Sequence, residues 1–105
     1  MAALKDENDF WIDFQLAFRD TLFDRNVDKL LNFVEPWYQA MLKNELPTWL
    51  VDELNAERKY SRFETYLKNV RGTVLELHFC PKDDKERREF LFNELHAARV
   101  CLRDF

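Results

Sequence analysis

The chain has 105 residues, of which 47% are apolar and 34% are charged, and its formal net charge is −4. This length is typical of one domain, and the composition is that of a folded globular protein rather than a disordered one. We therefore expect a single domain over residues 1–105. The one glycine, Gly72, cannot supply the glycine-rich loops of phosphate- and dinucleotide-binding folds, which excludes those classes.

No apolar run approaches the roughly 18 residues that a membrane-spanning helix needs. Residues 1–10 are acidic rather than basic and then apolar, so the sequence predicts neither a membrane span nor a secretory signal. The two cysteines, Cys80 and Cys101, do not indicate a disulfide-based fold, although they could pair in an exported protein. We expect a cytoplasmic location.

Apolar residues at helical spacing predict the first two helices. Between residues 9 and 25 an apolar side chain recurs at every fourth position, which is close to the period of a helix. These side chains are Phe10, Phe14, Phe18 and Leu22. A second apolar stripe runs from Val27 to Leu42 in helical phase. Because Pro36 lies within this stripe and proline removes a backbone donor, we expect a kink or a break near Asn32 to Glu35.

The middle of the chain predicts a connection and two further helices. The connection is Leu46-Pro47-Thr48, because proline disfavours helix at the residue before it and suits the first helical turn after it. Helix then resumes through Leu54. Ser61 and Glu64 have the spacing of a capping box, so we expect a short helix from there to a left-handed stop at Gly72.

The segment Thr73–Cys80 is ambiguous. Its apolar residues alternate as in a strand, whereas Thr73 and Glu76 have the spacing of a second capping box. We favour a helix, because no other segment offers the clean alternation that a partner strand would show. The alternative is an α+β fold in which Thr73–Cys80 is a strand.

A third capping box, at Asp83 and Glu86, predicts a terminal helix that extends to Leu102. Its apolar face is expected to comprise Phe90, Leu91, Leu95, Ala98, Cys101 and Leu102. The whole pattern predicts an all-α fold: a compact single-domain bundle of five or six helices, with short helices before Asp83.

Four residues, His78, Cys80, His96 and Cys101, have the side chains that zinc prefers. His96 and Cys101 are five residues apart on a predicted helix, whereas helical ligand pairs favour a spacing of three or four. No third group is placed to orient a Cys–His nucleophile. We therefore interpret them as buried thiols and half-exposed histidines, and expect no metal, no cofactor and no catalytic residue.

Charge is distributed unevenly along the chain. Residues 1–54 hold 5 basic and 11 acidic residues, a net of −6, and residues 55–105 hold 11 basic and 9 acidic residues, a net of +2. The cations of the second half include Arg58, Lys59, Arg62, Lys68, Arg71, Lys82, Lys85, Arg87 and Arg88. Acidic residues lie among them, many at three or four positions, which is typical of a salt-bridged solvent face. Nucleic-acid contact through this half is the alternative.

On a helical wheel the aspartates of the first helix fall within an arc of about 60°. This acidic ridge comprises Asp6, Asp9, Asp13, Asp20 and Asp24. Beside it Ile12, Leu16 and Phe23 form a second apolar strip, apart from the main apolar face. A central helix with neighbours on both flanks and a solvated acidic edge would account for much of this pattern. Asp20 and Asp24 fit that account less well, because carboxylates are unfavourable near the C-terminal end of a helix.

The ridge and strip together suit a partner with a basic surface, since the charges would steer association and the apolar residues would anchor it. The predicted partner-binding residues are Asp9, Asp13, Asp20, Asp24, Ile12, Leu16 and Phe23, with Trp37 as a further anchor. By analogy with acidic inhibitors, we expect a non-enzymatic protein-binding module, most concretely an inhibitor or immunity-type protein that masks a toxin nuclease. The alternatives are a nucleic-acid-associated regulator that uses the basic second half, and a small enzyme of unrecognised chemistry.

Overall fold

The computed structural model describes the backbone of residues 7–105 and the side chains from Asp9 onward. Over this range the chain forms five α-helices and no strand. The helices are α1 (Glu7–Asp24), α2 (Asp28–Leu42), α3 (Thr48–Ala56), α4 (Tyr60–Phe79) and α5 (Lys85–Leu102). The prediction of an all-α bundle is confirmed, with five helices rather than six.

The four longer helices form an antiparallel bundle. α1 packs against α2 and α5, and α4 packs against the same two helices, so that α1 and α4 occupy opposite corners. Short connections at residues 25–27 and 80–84 make α1 antiparallel to α2 and α4 antiparallel to α5. The shortest helix, α3, links α2 to α4 and packs against α4.

Aromatic side chains fill the core at the end of the bundle where α1 begins. Phe10, Phe14 and Phe18 are fully buried, which confirms the predicted inward face of α1. The ring centroid of Phe10 lies 4.4 Å from that of Trp37 on α2 and 6.1 Å from that of Phe63 on α4. Because this face of α1 points into the bundle, the opposite face points outward.

Side chains that precede α2 in the sequence cap its N-terminal backbone N–H groups. Val27, the N-cap residue of α2, makes no side-chain hydrogen bond to the helix. Instead, the hydroxyl of Thr21 on α1 accepts a hydrogen bond from the backbone N–H of Leu30 (3.2 Å), and the Asn26 side chain accepts one from Asp28 (2.9 Å). First-turn N–H groups have no acceptor within their own helix, so these two contacts satisfy donors that would otherwise be unpaired.

Of the kink or break predicted near Asn32 to Glu35, the break is wrong, because α2 continues through Pro36. Proline cannot donate to the carbonyl of Asn32, but Asn32 is exposed and water can reach that carbonyl. Val34 and Trp37, on either side of the proline, are buried and hold both parts of the helix in the core.

The predicted helix stop at Gly72 is also wrong, and the helices before Asp83 are not uniformly short. α4, with 20 residues, is the longest helix over residues 7–105 and includes both Gly72 and the ambiguous segment up to Phe79. Gly72 does not have a positive φ. Val74 and Leu77 are buried beyond it, so their burial sustains the helix past the glycine.

Helices α1, α2 and α3 are each followed by a residue with a positive φ that is not glycine: Arg25 (56°), Asn44 (56°) and Arg58 (57°). After α2 and α3 the next backbone N–H groups, of Glu45 and Lys59, bond back to carbonyls in the last turn at 2.8 and 2.7 Å. This is the Schellman arrangement, in which a left-handed residue, usually glycine, ends the helix.

None of the three predicted capping boxes forms as expected. Ser61 lies inside α4, whose N-cap position has no side-chain hydrogen bond. The Thr73 hydroxyl donates to the carbonyl four residues earlier (3.1 Å), as threonine does within a helix. For α5 the cap is Asp84, which accepts a hydrogen bond from the Arg87 N–H (3.3 Å), rather than Asp83.

The inward face of α5 is rotated from the predicted one. Its aliphatic residues are buried as expected: Leu91, Leu95 and Leu102. Phe92, which the prediction omitted, is buried as well, and the guanidinium of Arg25 lies 4.0 Å from its ring centroid. Phe90 and Cys101, which were expected on this face, are exposed. Phe92 therefore lies on the side of α5 that packs near the end of α1, and the buried face includes it.

Candidate interaction surface

The outer face of α1 carries three exposed apolar side chains. Ile12 is 59% exposed, Leu16 is 38% exposed and Phe23 is 87% exposed. At about 100° per residue they fall within an arc of roughly 40°, centred opposite the buried Phe14. We call these three residues the apolar strip. Although α1 has neighbours on both flanks, as expected of a central helix, the strip points away from the bundle.

The apolar strip is held on a rigid support. The core packing of Phe10, Phe14 and Phe18 fixes the position of α1 from its opposite side. Only side-chain rotamers of the strip therefore have to be ordered when a partner binds, which keeps the entropic cost of association low.

The aspartates of the acidic ridge lie between the apolar strip and α2. Those within the described residues are Asp9, Asp13, Asp20 and Asp24, and Asp6 lies outside them. The Lys29 ammonium on α2 lies 3.7 Å from the Asp20 carboxylate and 3.6 Å from that of Asp24. These contacts supply a local reason for two aspartates near the C-terminal end of α1, where the helix dipole disfavours them.

The ridge remains negative after these contacts are counted. Its four described aspartates carry a charge of −4, and the contacts with Lys29 reduce this to −3. Arg19 also pairs with Asp20 at 3.2 Å, but both groups are solvent-exposed, and such pairs contribute only about 0.2–1 kcal/mol. Asp9 is exposed and has no ion pair with another described residue.

Trp37, suggested as a further anchor, is buried against Phe10, so that prediction is wrong. The zinc-type residues are not brought together, because no group of three or more His, Cys, Asp or Glu side chains in the described part of the chain could hold a metal ion. His78 lies instead 3.7 Å from Asp28. Cys101 is exposed and Cys80 is only partly buried, which corrects the interpretation of both as buried thiols.

The cations of the second half are dispersed over α4, α5 and the connections. Within the described part of the chain, three of them form ion pairs: Lys59 with Glu57, Arg71 with Glu35, and Arg87 with Glu76. The Arg71 guanidinium donates two hydrogen bonds to the Glu35 carboxylate, at 2.6 and 3.2 Å. These bonds lower the pKa of Glu35 and raise the pKa of Arg71. The pair joins α2 to α4 and is structural in character.

Sequence reasoning missed a groove between α4 and α5. The Tyr66 hydroxyl, at its floor, donates a hydrogen bond to the Ala98 carbonyl, and burial raises the pKa of this phenol. The signal in the sequence is a row of uncharged polar residues at every fourth position of α4. These are Ser61, Thr65, Asn69 and Thr73, all of which line the groove.

Comparison of the chain with protein-family models, with curated proteins and with solved structures found no match. Within residues 7–105, no helix combines the length and apolar character needed to cross a membrane. Function is therefore inferred from the chemistry of the surface itself.

Proposed function

We propose that the chain is a non-enzymatic protein-binding module that uses the outer face of α1 to bind a protein with a basic surface. The observation that carries the proposal is the apolar strip, above all Phe23 on a helix fixed by its buried face. Large aromatic side chains are typical anchors of protein interfaces, where they fill a pocket on the partner. The partner is expected to offer such a pocket to Phe23 and cations to the aspartates beside it.

The charge of the ridge indicates what kind of partner fits. A partner with lysines or arginines would associate faster through attraction to this face, and wrong partners with acidic surfaces would be repelled. Enzymes that act on nucleic acids carry such cations to bind phosphates. An inhibitor or immunity-type protein that masks a nuclease toxin is the most concrete form of the proposal.

The apolar strip alone does not supply a stable complex. Full burial of Phe23 or Ile12 contributes roughly 1.5–3 kcal/mol each, whereas association costs about 4–15 kcal/mol in lost freedom. The interface must therefore extend over the acidic ridge. We expect Phe23 and Ile12 to govern the dissociation rate and the aspartates to govern the association rate.

The first experiment isolates the partner by affinity capture from the native host, with mass spectrometry and a nuclease-treated parallel sample. The captured partner is then titrated against Phe23→Ala, with Phe79→Ala as the matched control, because Phe79 is also exposed but lies at the end of α4. Phe23→Ala should raise the dissociation constant by roughly 30-fold or more, mainly through faster dissociation. Equal effects of the two variants would remove the strip from the interface.

A second titration tests the acidic ridge at two salt concentrations. Reversal of Asp13, Asp20 and Asp24 to lysine should slow association, and the affinity of the native protein should fall as salt rises. The matched control reverses three exposed acids elsewhere: Glu45, Asp52 and Glu53. An equal loss in both triple variants would attribute the effect to net charge alone. Capture of nucleic acid instead of protein would favour the basic second half.

A further inference from the structure

The groove between α4 and α5 lies apart from the outer face of α1, because α4 occupies the corner opposite α1. Two cavities, of 440 and 220 Å³, follow one another along it and share Tyr66, Asn69 and Cys101. Beside the groove, α5 presents Phe90, which is 52% exposed, and Ala97, which is exposed and lines the smaller cavity. The described residues leave this partly apolar surface uncovered.

Charged side chains are sparse along the groove. Of the fourteen residues that line the two cavities, three are charged, and the rest are apolar or uncharged polar side chains. The three are Arg62, Glu94 and Asp104. Depletion of charge at the centre is the compositional feature that separates protein interfaces from ordinary surface.

Arg62 and Glu94 are the opposite charges nearest the middle of the groove, and neither has an ion pair with another described residue. The Arg62 side chain lies over the Phe105 ring, with 5.6 Å between its guanidinium carbon and the ring centroid. Both side chains therefore have their charge available to a second molecule.

The register of the two helices sets the distance between these charges. The hydrogen bond from Tyr66 to Ala98 places those two residues at about the same level in antiparallel helices, and the cavity linings agree, since Thr73 lies with Glu94 and Ser61 with Asp104. By the same register Glu94 lies level with Val70 on α4. At 1.5 Å per residue, Arg62 and Glu94 are separated by about 12 Å along the bundle axis.

We propose that a second copy of this chain covers the groove, related to the first by a two-fold axis that crosses the groove near Tyr66. The axis reverses the helix direction and places each helix over its own copy. Arg62 of each copy is then level with Glu94 of the other, and the two side chains meet in the groove that both of them line. The same pair forms twice, which is the self-complementarity that a closed two-fold dimer requires. Ala97, an exposed residue that lines the groove, lies close to the axis and becomes buried between the copies.

The area of this face meets the requirement of a weak specific dimer. α5 has 18 residues, so its length is roughly 27 Å, and two packed helices are about 20 Å wide. Covering this face on both copies removes roughly 1,000 Å² from water, which is the lower limit for a specific interface. A dimer that dissociates at micromolar concentrations is the expected result.

The test measures the mass of the whole chain by sedimentation equilibrium, with circular dichroism to confirm that each variant is folded. The native mass should rise from 12.8 kDa toward twice that value with increasing concentration. Arg62→Glu and Glu94→Arg should each weaken the dimer by roughly ten-fold or more, because each places like charges opposite each other twice. Ala97→Asp should abolish it, and the control Lys68→Glu, an exposed change elsewhere on α4, should leave it intact.

Mixing the two charge variants gives the sharpest result. In a mixed dimer of Arg62→Glu with Glu94→Arg, both pairs again join opposite charges, so the equimolar mixture should recover near-native dimerisation. A monomer mass at concentrations up to about 100 μM, where an interface of this size forms, would overturn the proposal. The proposal would also be overturned if the single variants dimerised as strongly as the native protein. A mixture that dimerised as weakly as each variant alone would overturn it too. The assay contains this chain alone, so its outcome is independent of partner binding by α1.

Discussion

Replacement of Thr21 by valine should destabilise the fold although the two side chains have nearly the same shape. Thr21 is fully buried, and its hydroxyl oxygen accepts a hydrogen bond from the Leu30 N–H at 3.2 Å. Valine keeps the branched shape but removes the acceptor. The first-turn N–H of α2 would then be buried without any partner.

The expected magnitude follows from the two opposing changes. A buried donor that loses its acceptor costs about 1–3 kcal/mol, and water cannot replace the acceptor at a fully buried site. The extra methyl group of valine offsets this by at most about 0.8 kcal/mol. We expect a net loss of about 1–2 kcal/mol in the free energy of unfolding, which lowers the melting temperature by roughly 4–8 °C.

Urea denaturation monitored by circular dichroism measures the loss, and hydrogen exchange of the Leu30 amide locates it. Thr21→Ser is the control, because it keeps the acceptor and removes only a methyl group. Exchange at Leu30 should accelerate in the valine variant and stay close to native in the serine variant. A valine variant as stable as the native protein, with Leu30 equally protected, would refute the role of Thr21 as a cap.

Three further outcomes are expected. Gly72→Ala should stabilise the protein by about 0.5–1 kcal/mol in urea denaturation, because nothing lies within 4 Å of the added Cβ in the middle of α4; a loss would reveal a constraint at that position. Phe14→Ala and Phe18→Ala should each cost about 3–5 kcal/mol, and a loss below 1 kcal/mol would contradict their burial. Glu35→Gln should cost about 0.5–1 kcal/mol at neutral pH after allowance for solvent screening of its pair with Arg71. Since the folded-state pKa of Glu35 lies below its usual 4.5, the native advantage should be complete above that value and vanish as pH falls through the folded pKa. A difference that persists in acid would exclude the ion pair as its source.

The first helix was predictable because packing determines its pattern. Phe10, Phe14 and Phe18 recur at helical spacing, and bulky aromatic side chains favour burial strongly enough to fix the inward face. The second apolar face of α1 was also visible in the sequence. Its outward direction was not, because periodicity cannot show whether a neighbouring helix covers a face.

Local signals failed where tertiary packing outweighed them. Gly72 and Pro36 have low helix propensity, yet buried residues on both sides keep α4 and α2 continuous. The capping-box pattern arises often in a chain with this many charged residues, and Ser61 shows how it can fall inside a helix. The groove between α4 and α5 could not be predicted, because it depends on the relative position of two helices.

The antiparallel order of the bundle also has a kinetic consequence. α1 and α2, and α4 and α5, are neighbours both in sequence and in space, so much of the packing joins segments separated by short connections. Such chains lose little loop-closure entropy before native contacts form, and helical bundles of this kind fold within microseconds to milliseconds. The contact between α1 and α5 joins the most distant segments and completes the ring of four helices. Rapid folding limits the time for which the phenylalanines of α1 are exposed on both faces, and with it the opportunity for aggregation.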